Sequence, residues 1–130
     1  MKRAAVHMQE HRANIFVIED DASLNQAVGR LLEAAGFHAR MFQSAEAVLA
    51  DASLEEADCF VLDIHLPGIS GFELQSRLAC SGVTAPVILI TAHDDPVHHR
   101  TAREIGAAAY LIKPFSSLSL IDAVVRAIDP

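Results

Sequence analysis

The apolar run Cys59-Phe60-Val61-Leu62 stops at a carboxylate, Asp63, and Pro67-Gly68 follows shortly after. Four apolar residues in a row are too few for a helix and do not alternate, so they suit a strand buried on both faces. Strands of that kind belong to parallel sheets covered by helices on either side. The charge then falls where the strand leaves the core, at its carboxyl end, and this is the edge at which open α/β sheets bind ligands. Taken alone, Asp63 could equally cap a turn.

The same pattern recurs along the chain. Ile15-Phe16-Val17-Ile18 ends in Glu19-Asp20-Asp21, Phe37 to Phe42 alternates, Val87-Ile88-Leu89-Ile90 follows Pro86 and reaches Thr91, and Tyr110-Leu111-Ile112 runs into Lys113-Pro114. Amphipathic stripes lie between these runs. Leu24, Ala27, Val28, Leu31 and Ala35 mark a helix that Ser23 or Asp21 can cap and Gly36 ends. Ser44 caps a short helix through Ala50, and Gly71 to Cys80 carries Phe72, Leu74 and Leu78. Asp94-Asp95-Pro96 opens a helix to Ile105, since Pro suits a first helical turn. Ser116 or Ser117 caps the last helix, whose Leu118, Ile121, Val124, Val125 and Ile128 are expected to face the core. Five strands alternating with five helices predict a doubly wound five-stranded parallel sheet of the flavodoxin-like kind.

A chain of 130 residues is large enough for one domain with a real core. Residues 15–130 are expected to form it, behind a loose polar tail over 1–14 whose second methionine, Met8, suggests an extension not native to the protein. A net charge of −7 disfavours contact with nucleic acid or an anionic membrane. No apolar run is long enough to cross a bilayer. Cys59 and Cys80 are expected to be free thiols in a reducing, cytoplasmic setting rather than a disulfide.

Parallel strands would gather Glu19, Asp20, Asp63, Thr91 and Lys113 at one edge of the sheet. Clustered carboxylates repel by about 4 kcal/mol per pair at about 4 Å and an effective dielectric of about 20. One lysine does not offset that, whereas a hard divalent cation such as Mg²⁺ does, with one or two carboxylates and several waters. A cation there also neutralises charge on a transferring phosphoryl group, and Lys113 and the Thr91 hydroxyl could bind its remaining oxygens. His65 and His93 lie two residues after Asp63 and Thr91, so their rings either rim this position or point to solvent.

Val-Ile-Glu-Asp-Asp, Val-Leu-Asp-Ile-His-Leu-Pro-Gly-Ile-Ser-Gly, Ile-Thr-Ala and Tyr-Leu-Ile-Lys-Pro-Phe occur in this order at the strand ends. In this the chain resembles the receiver domain of two-component response regulators, from about Ile15 to Ile128. The Gly-Ala-Ala-Ala-Tyr-Leu-Ile-Lys-Pro-Phe segment is most similar to regulators of the nitrogen-fixation and nitrate-response type. The resemblance implies that Asp63 is the phosphoacceptor, taking a phosphoryl group from a sensor histidine kinase or histidine phosphotransfer protein. It implies Mg²⁺ bound by Asp20, Asp63 and the backbone carbonyl of His65, with Glu19 acting through water. It further implies Thr91 and the Ala92 amide as phosphoryl ligands, Tyr110 as an aromatic switch and Lys113 as counter-charge. A cis bond before Pro114 and a homodimer formed on phosphorylation also follow from it.

Each residue has a plainer reading. Lys113 could be a solvated lysine, Thr91 a helix cap and Tyr110 a packing residue. Asp21 suits a cap better than a ligand. His93, His98 and His99 at a helix start are expected to be mostly exposed, with no closed metal-ligand set. The competing function is a Mg²⁺-dependent phosphohydrolase with an aspartyl nucleophile, which needs an acid two residues after the nucleophile where this chain has His65. An inert interaction module is the third reading. With Pro130 directly after the last helix, any output module is expected to be separate or to have been removed.

Overall fold

A computed structural model describes residues 12–129. The expected tail falls mainly on residues outside this range, but its last members are tied to the sheet. Arg12 Nε donates to the Gly36 carbonyl at 3.1 Å, the Ala13 carbonyl accepts from the His38 N–H, and Asn14 opens the first strand. The strands are β1 (Asn14–Ile18), β2 (His38–Phe42), β3 (Cys59–Asp63), β4 (Val87–Thr91) and β5 (Ala109–Ile112). The helices are α1 (Ala22–Ala34), α2 (Ala45–Leu49), α3 (Gly71–Cys80), α4 (Pro96–Glu104) and α5 (Ser117–Ile128), with a short 3₁₀ turn at Leu54–Glu56. All strands are parallel, in the order β2-β1-β3-β4-β5. The doubly wound sheet expected from the alternation is therefore present.

The pleat divides each central run between two cores. Phe16, Ile18, Phe60, Leu62 and Leu89 pack with residues of α2, α3 and α4, while Ile15, Val17, Val61, Ile88 and Ile90 pack with α1 and α5. This is why β1, β3 and β4 read as unbroken apolar runs. Asp21, Ser44, Ser70, Asp95 and Ser116 cap the five helices with side-chain oxygens, and Ser23 lies inside α1. Both cysteines are free, and burial pushes the Cys59 thiol up to about 12.

Two helix faces differ from expectation. In α1 the buried stripe is Asn25, Val28, Gly29 and Leu32, and Ala27 and Ala35 are exposed. In α5 the buried residues are Leu120 and Val124, whereas Leu118 is 81% and Val125 46% exposed. Both helices carry apolar residues on more than one stripe, and the sheet selects the stripe that fits between neighbouring elements.

Candidate functional site

Strand register places the site at the carboxyl edge. Ile18 pairs with Leu62, so Glu19 and Asp63 emerge side by side. Asp63 pairs with Ile90 and Thr91 with Ile112, which brings Thr91 and Lys113 to the same edge. In the order β2-β1-β3-β4-β5 the connections from β1 and β3 run in opposite directions, leaving a crevice at this switch point.

The polar groups there are well buried. Glu19 is 1%, Asp63 4% and Thr91 0% exposed, while Asp20 faces solvent. Lys113 Nζ lies 2.8 Å from Asp63 Oδ2 and 2.8 Å from Glu19 Oε1. The contact with Asp63 is a hydrogen bond, whereas that with Glu19 is an ion pair without hydrogen-bond geometry, leaving buried Oε1 with no hydrogen-bond donor among the described residues. Asp63 Oδ1 accepts from the His65 N–H at 2.8 Å, and Glu19 Oε2 accepts from the Asp21 N–H at 3.0 Å. Glu19, Asp20 and Asp63 each offer an oxygen within 4.8 Å of the others.

Burial pushes the Glu19 carboxyl above its ordinary pKa; the Asp63 charge adds to this, and Lys113 and the Asp21 N–H only partly oppose it. Burial alone would lower the Lys113 ammonium, but Asp63 and Glu19 outweigh it and hold the group above the ordinary lysine value. One lysine therefore does not satisfy these acids. Glu19 Oε1, which Lys113 meets at 2.8 Å without hydrogen-bond geometry, and the all-oxygen donor set fit a hard divalent cation.

The Thr91 hydroxyl accepts from the His93 N–H and donates to the His93 carbonyl, both at 3.1 Å, and the next helix is capped by Asp95, so the plainer reading of Thr91 as a helix cap does not hold. Tyr110 is half-buried, and its enclosed hydroxyl makes no hydrogen bond among the described residues. The Lys113–Pro114 bond is cis. The three histidines near α4 diverge: His98 packs on His65 and Phe72, and His99 meets Tyr110 edge-on at 4.7 Å between centroids. His93 and His99 are exposed as expected, but His98 is half-buried.

Two supporting residues have no role that the sequence reading assigned. Asn25 is buried in α1, and its amide donates at 3.0 Å to both the Glu19 and Phe42 carbonyls, clamping β1 to β2 behind the acids. A polar residue one turn before Val28 and Gly29 was the signal for it. Gly71 opens α3 directly behind Asp63: a Cβ there would meet the Asp63 carbonyl oxygen and come within 2.8 Å of Ile64 Cα.

The family model "Response regulator receiver domain" matches residues 15–125. The chain belongs to this family. It is 37% identical over 118 residues to Nodulation protein W of Bradyrhizobium diazoefficiens, covering 91% of this chain and 52% of that protein. It is 31% identical over 122 residues to the transcriptional regulatory protein FixJ of the same organism, covering 92% and 60%. The chain thus spans little more than half the length of these relatives. A crystal structure of a response regulator receiver protein from Burkholderia phymatum superimposes with a TM-score of 0.78 at 40% identity, covering 90% of this chain and 95% of that one. Family membership makes the domain a signalling switch module rather than a phosphohydrolase, and FixJ among the relatives agrees with the nitrogen-fixation resemblance of its last strand.

Proposed function

We propose that this domain accepts a phosphoryl group on Asp63 from the phosphohistidine of a sensor histidine kinase or histidine phosphotransfer protein, and changes conformation to control an output. The observation that carries this reading is the buried Asp63 carboxylate, held 2.8 Å from Lys113 beside two further acids. Glu19, Asp20 and Asp63, with the His65 carbonyl, would hold Mg²⁺, which when bound neutralises charge on the phosphoryl oxygens.

In the transfer, an Asp63 oxygen bonds to phosphorus as the phosphorus–nitrogen bond breaks and the donor imidazole leaves with that electron pair. The His65 N–H on Oδ1 fixes the carboxylate's orientation, so little reorganisation is needed. Lys113 supplies positive charge to the phosphoryl oxygens. Thr91 would exchange its bond with His93 for one to the phosphoryl group, beside the Ala92 N–H. Tyr110, whose hydroxyl makes no hydrogen bond among the described residues, would change rotamer with it. The domain acts as a phosphoacceptor that assists its own chemistry, and not as an enzyme on a separate substrate.

Exposed Val97 on α4, Ile112 on β5, and Leu118 and Val125 on α5 support a homodimer formed on phosphorylation. The net charge of −7 supports a protein partner over nucleic acid for this domain, and two free cysteines support a cytoplasmic setting.

Incubation with a small-molecule acyl phosphate and Mg²⁺ should add one phosphoryl mass to the intact protein and none to Asp63→Asn. Equal gain by the variant would place the acceptor elsewhere.

A further inference from the structure

Four rings from four separate segments meet beside the phosphoryl site. Phe72 comes from α3, His98 from α4, His65 from the loop after β3 and His93 from the loop after β4. The His98 centroid lies 5.1 Å from that of His65 and 5.7 Å from that of Phe72, and His65 lies 5.5 Å from His93. His65 and His93 are exposed, whereas His98 is half-buried and serves as their anchor. Its Nδ1 is buried and makes no hydrogen bond among the described residues, and the ring packs on Phe72 and His65.

The backbone at His65 is already fixed, because its N–H donates to Asp63 Oδ1 at 2.8 Å. The orientation of its side chain remains to be set. A free imidazole samples several staggered rotamers. An aromatic pair biases that choice by roughly two- to tenfold. Held between His98 and His93, the His65 ring spans the edge from the Asp63 loop to the Thr91 loop.

We propose that His98 is a positioning residue for the phosphoryl site: it holds the His65 imidazole across the approach to Asp63 and so slows loss of the phosphoryl group. This rests on the reading of Asp63 as phosphoacceptor. In hydrolysis a water oxygen bonds to phosphorus as the phosphorus–oxygen bond to Asp63 breaks. The carboxylate keeps that electron pair, and the water protons leave on inorganic phosphate. The water must arrive in line, opposite the breaking bond. A ring fixed over that path obstructs it, and a ring free to turn away does not.

The test uses the full chain as wild type, His98→Ala, His98→Phe, His65→Ala and the double variant His65→Ala/His98→Ala. Without phosphate, the ¹H–¹³C imidazole signal of His65 should move in His98→Ala and keep a ring-current shift in His98→Phe. After phosphorylation with acetyl phosphate and Mg²⁺ and removal of the donor, decay is followed by intact mass. His98→Ala should decay about tenfold faster than wild type, about 1.4 kcal/mol in barrier. His98→Phe should stay within about twofold of wild type, because the ring acts by packing. In the His65→Ala background the His98 change should have no further effect. An unmoved His65 signal, wild-type decay in His98→Ala, or an equal acceleration without His65 would each overturn the positioning role alone. A wild type that takes up no phosphoryl group overturns the phosphoacceptor reading, and the proposal with it.

Discussion

Replacing Asp63 with Asn tests whether repulsion or ion pairing dominates the site. The variant gives up the attraction to Lys113 Nζ at 2.8 Å, about 6 kcal/mol at an effective dielectric of about 20. It also relieves repulsion from Glu19 and Asp20, whose ligand oxygens lie within 4.8 Å. At that limiting distance each pair costs about 3.5 kcal/mol, so the two together cost about 7 kcal/mol. The balance favours Asn by about 1 kcal/mol, and burial of Asp63 at 4% exposure adds to it in sign because Asn carries no charge to desolvate. For a domain of this size such a gain raises Tm by about 3–5 °C. Mg²⁺ at a hundredfold excess over Kd should stabilise the wild type by about 2.7 kcal/mol, and Asp63→Asn by clearly less. The assay is thermal unfolding of both proteins in EDTA and in a Mg²⁺ titration. A variant that melts below wild type in EDTA, yet gains as much from Mg²⁺, would refute the account of clustered acids awaiting a cation.

Gly71→Ala should cost more than about 2 kcal/mol in urea unfolding and weaken phosphoryl uptake, because the new methyl meets backbone of Asp63 and Ile64 rather than a flexible side chain. Uptake and stability at wild-type levels would show that α3 can shift away at no cost. At alkaline pH, the ammonium of Lys113 is held up by Asp63 and Glu19 against the lowering effect of burial, and the hydroxyl of Tyr110 is held up by burial. Both folded pKa values are raised, so the stability they contribute is complete below their unfolded values of about 10 and is lost as pH rises through the folded ones. Urea midpoints should therefore fall above about pH 10, less steeply in Lys113→Met; parallel curves would exclude Lys113 as a source.

The elements themselves were legible in local pattern. Unbroken runs such as Cys59–Leu62 are what strands buried on both faces require, and Asp21, Ser44, Asp95 and Ser116 cap helices through oxygens that the sequence displays. The polar residues closing those runs were legible as a set, because parallel strands bring their carboxyl ends to one edge. What periodicity left open was which of two apolar stripes each helix would bury, since that choice depends on neighbours distant in sequence. Leu118 and Val125 therefore face out while Leu120 and Val124 face in. The roles of Asn25 and Gly71 emerged only when folding set β1 against β2 through one and Asp63 against α3 through the other. The meeting of His65, His93, His98 and Phe72 is likewise a product of tertiary structure. Local periodicity reports which face of an element is apolar, but only packing decides what that face, and the groups beside it, will touch.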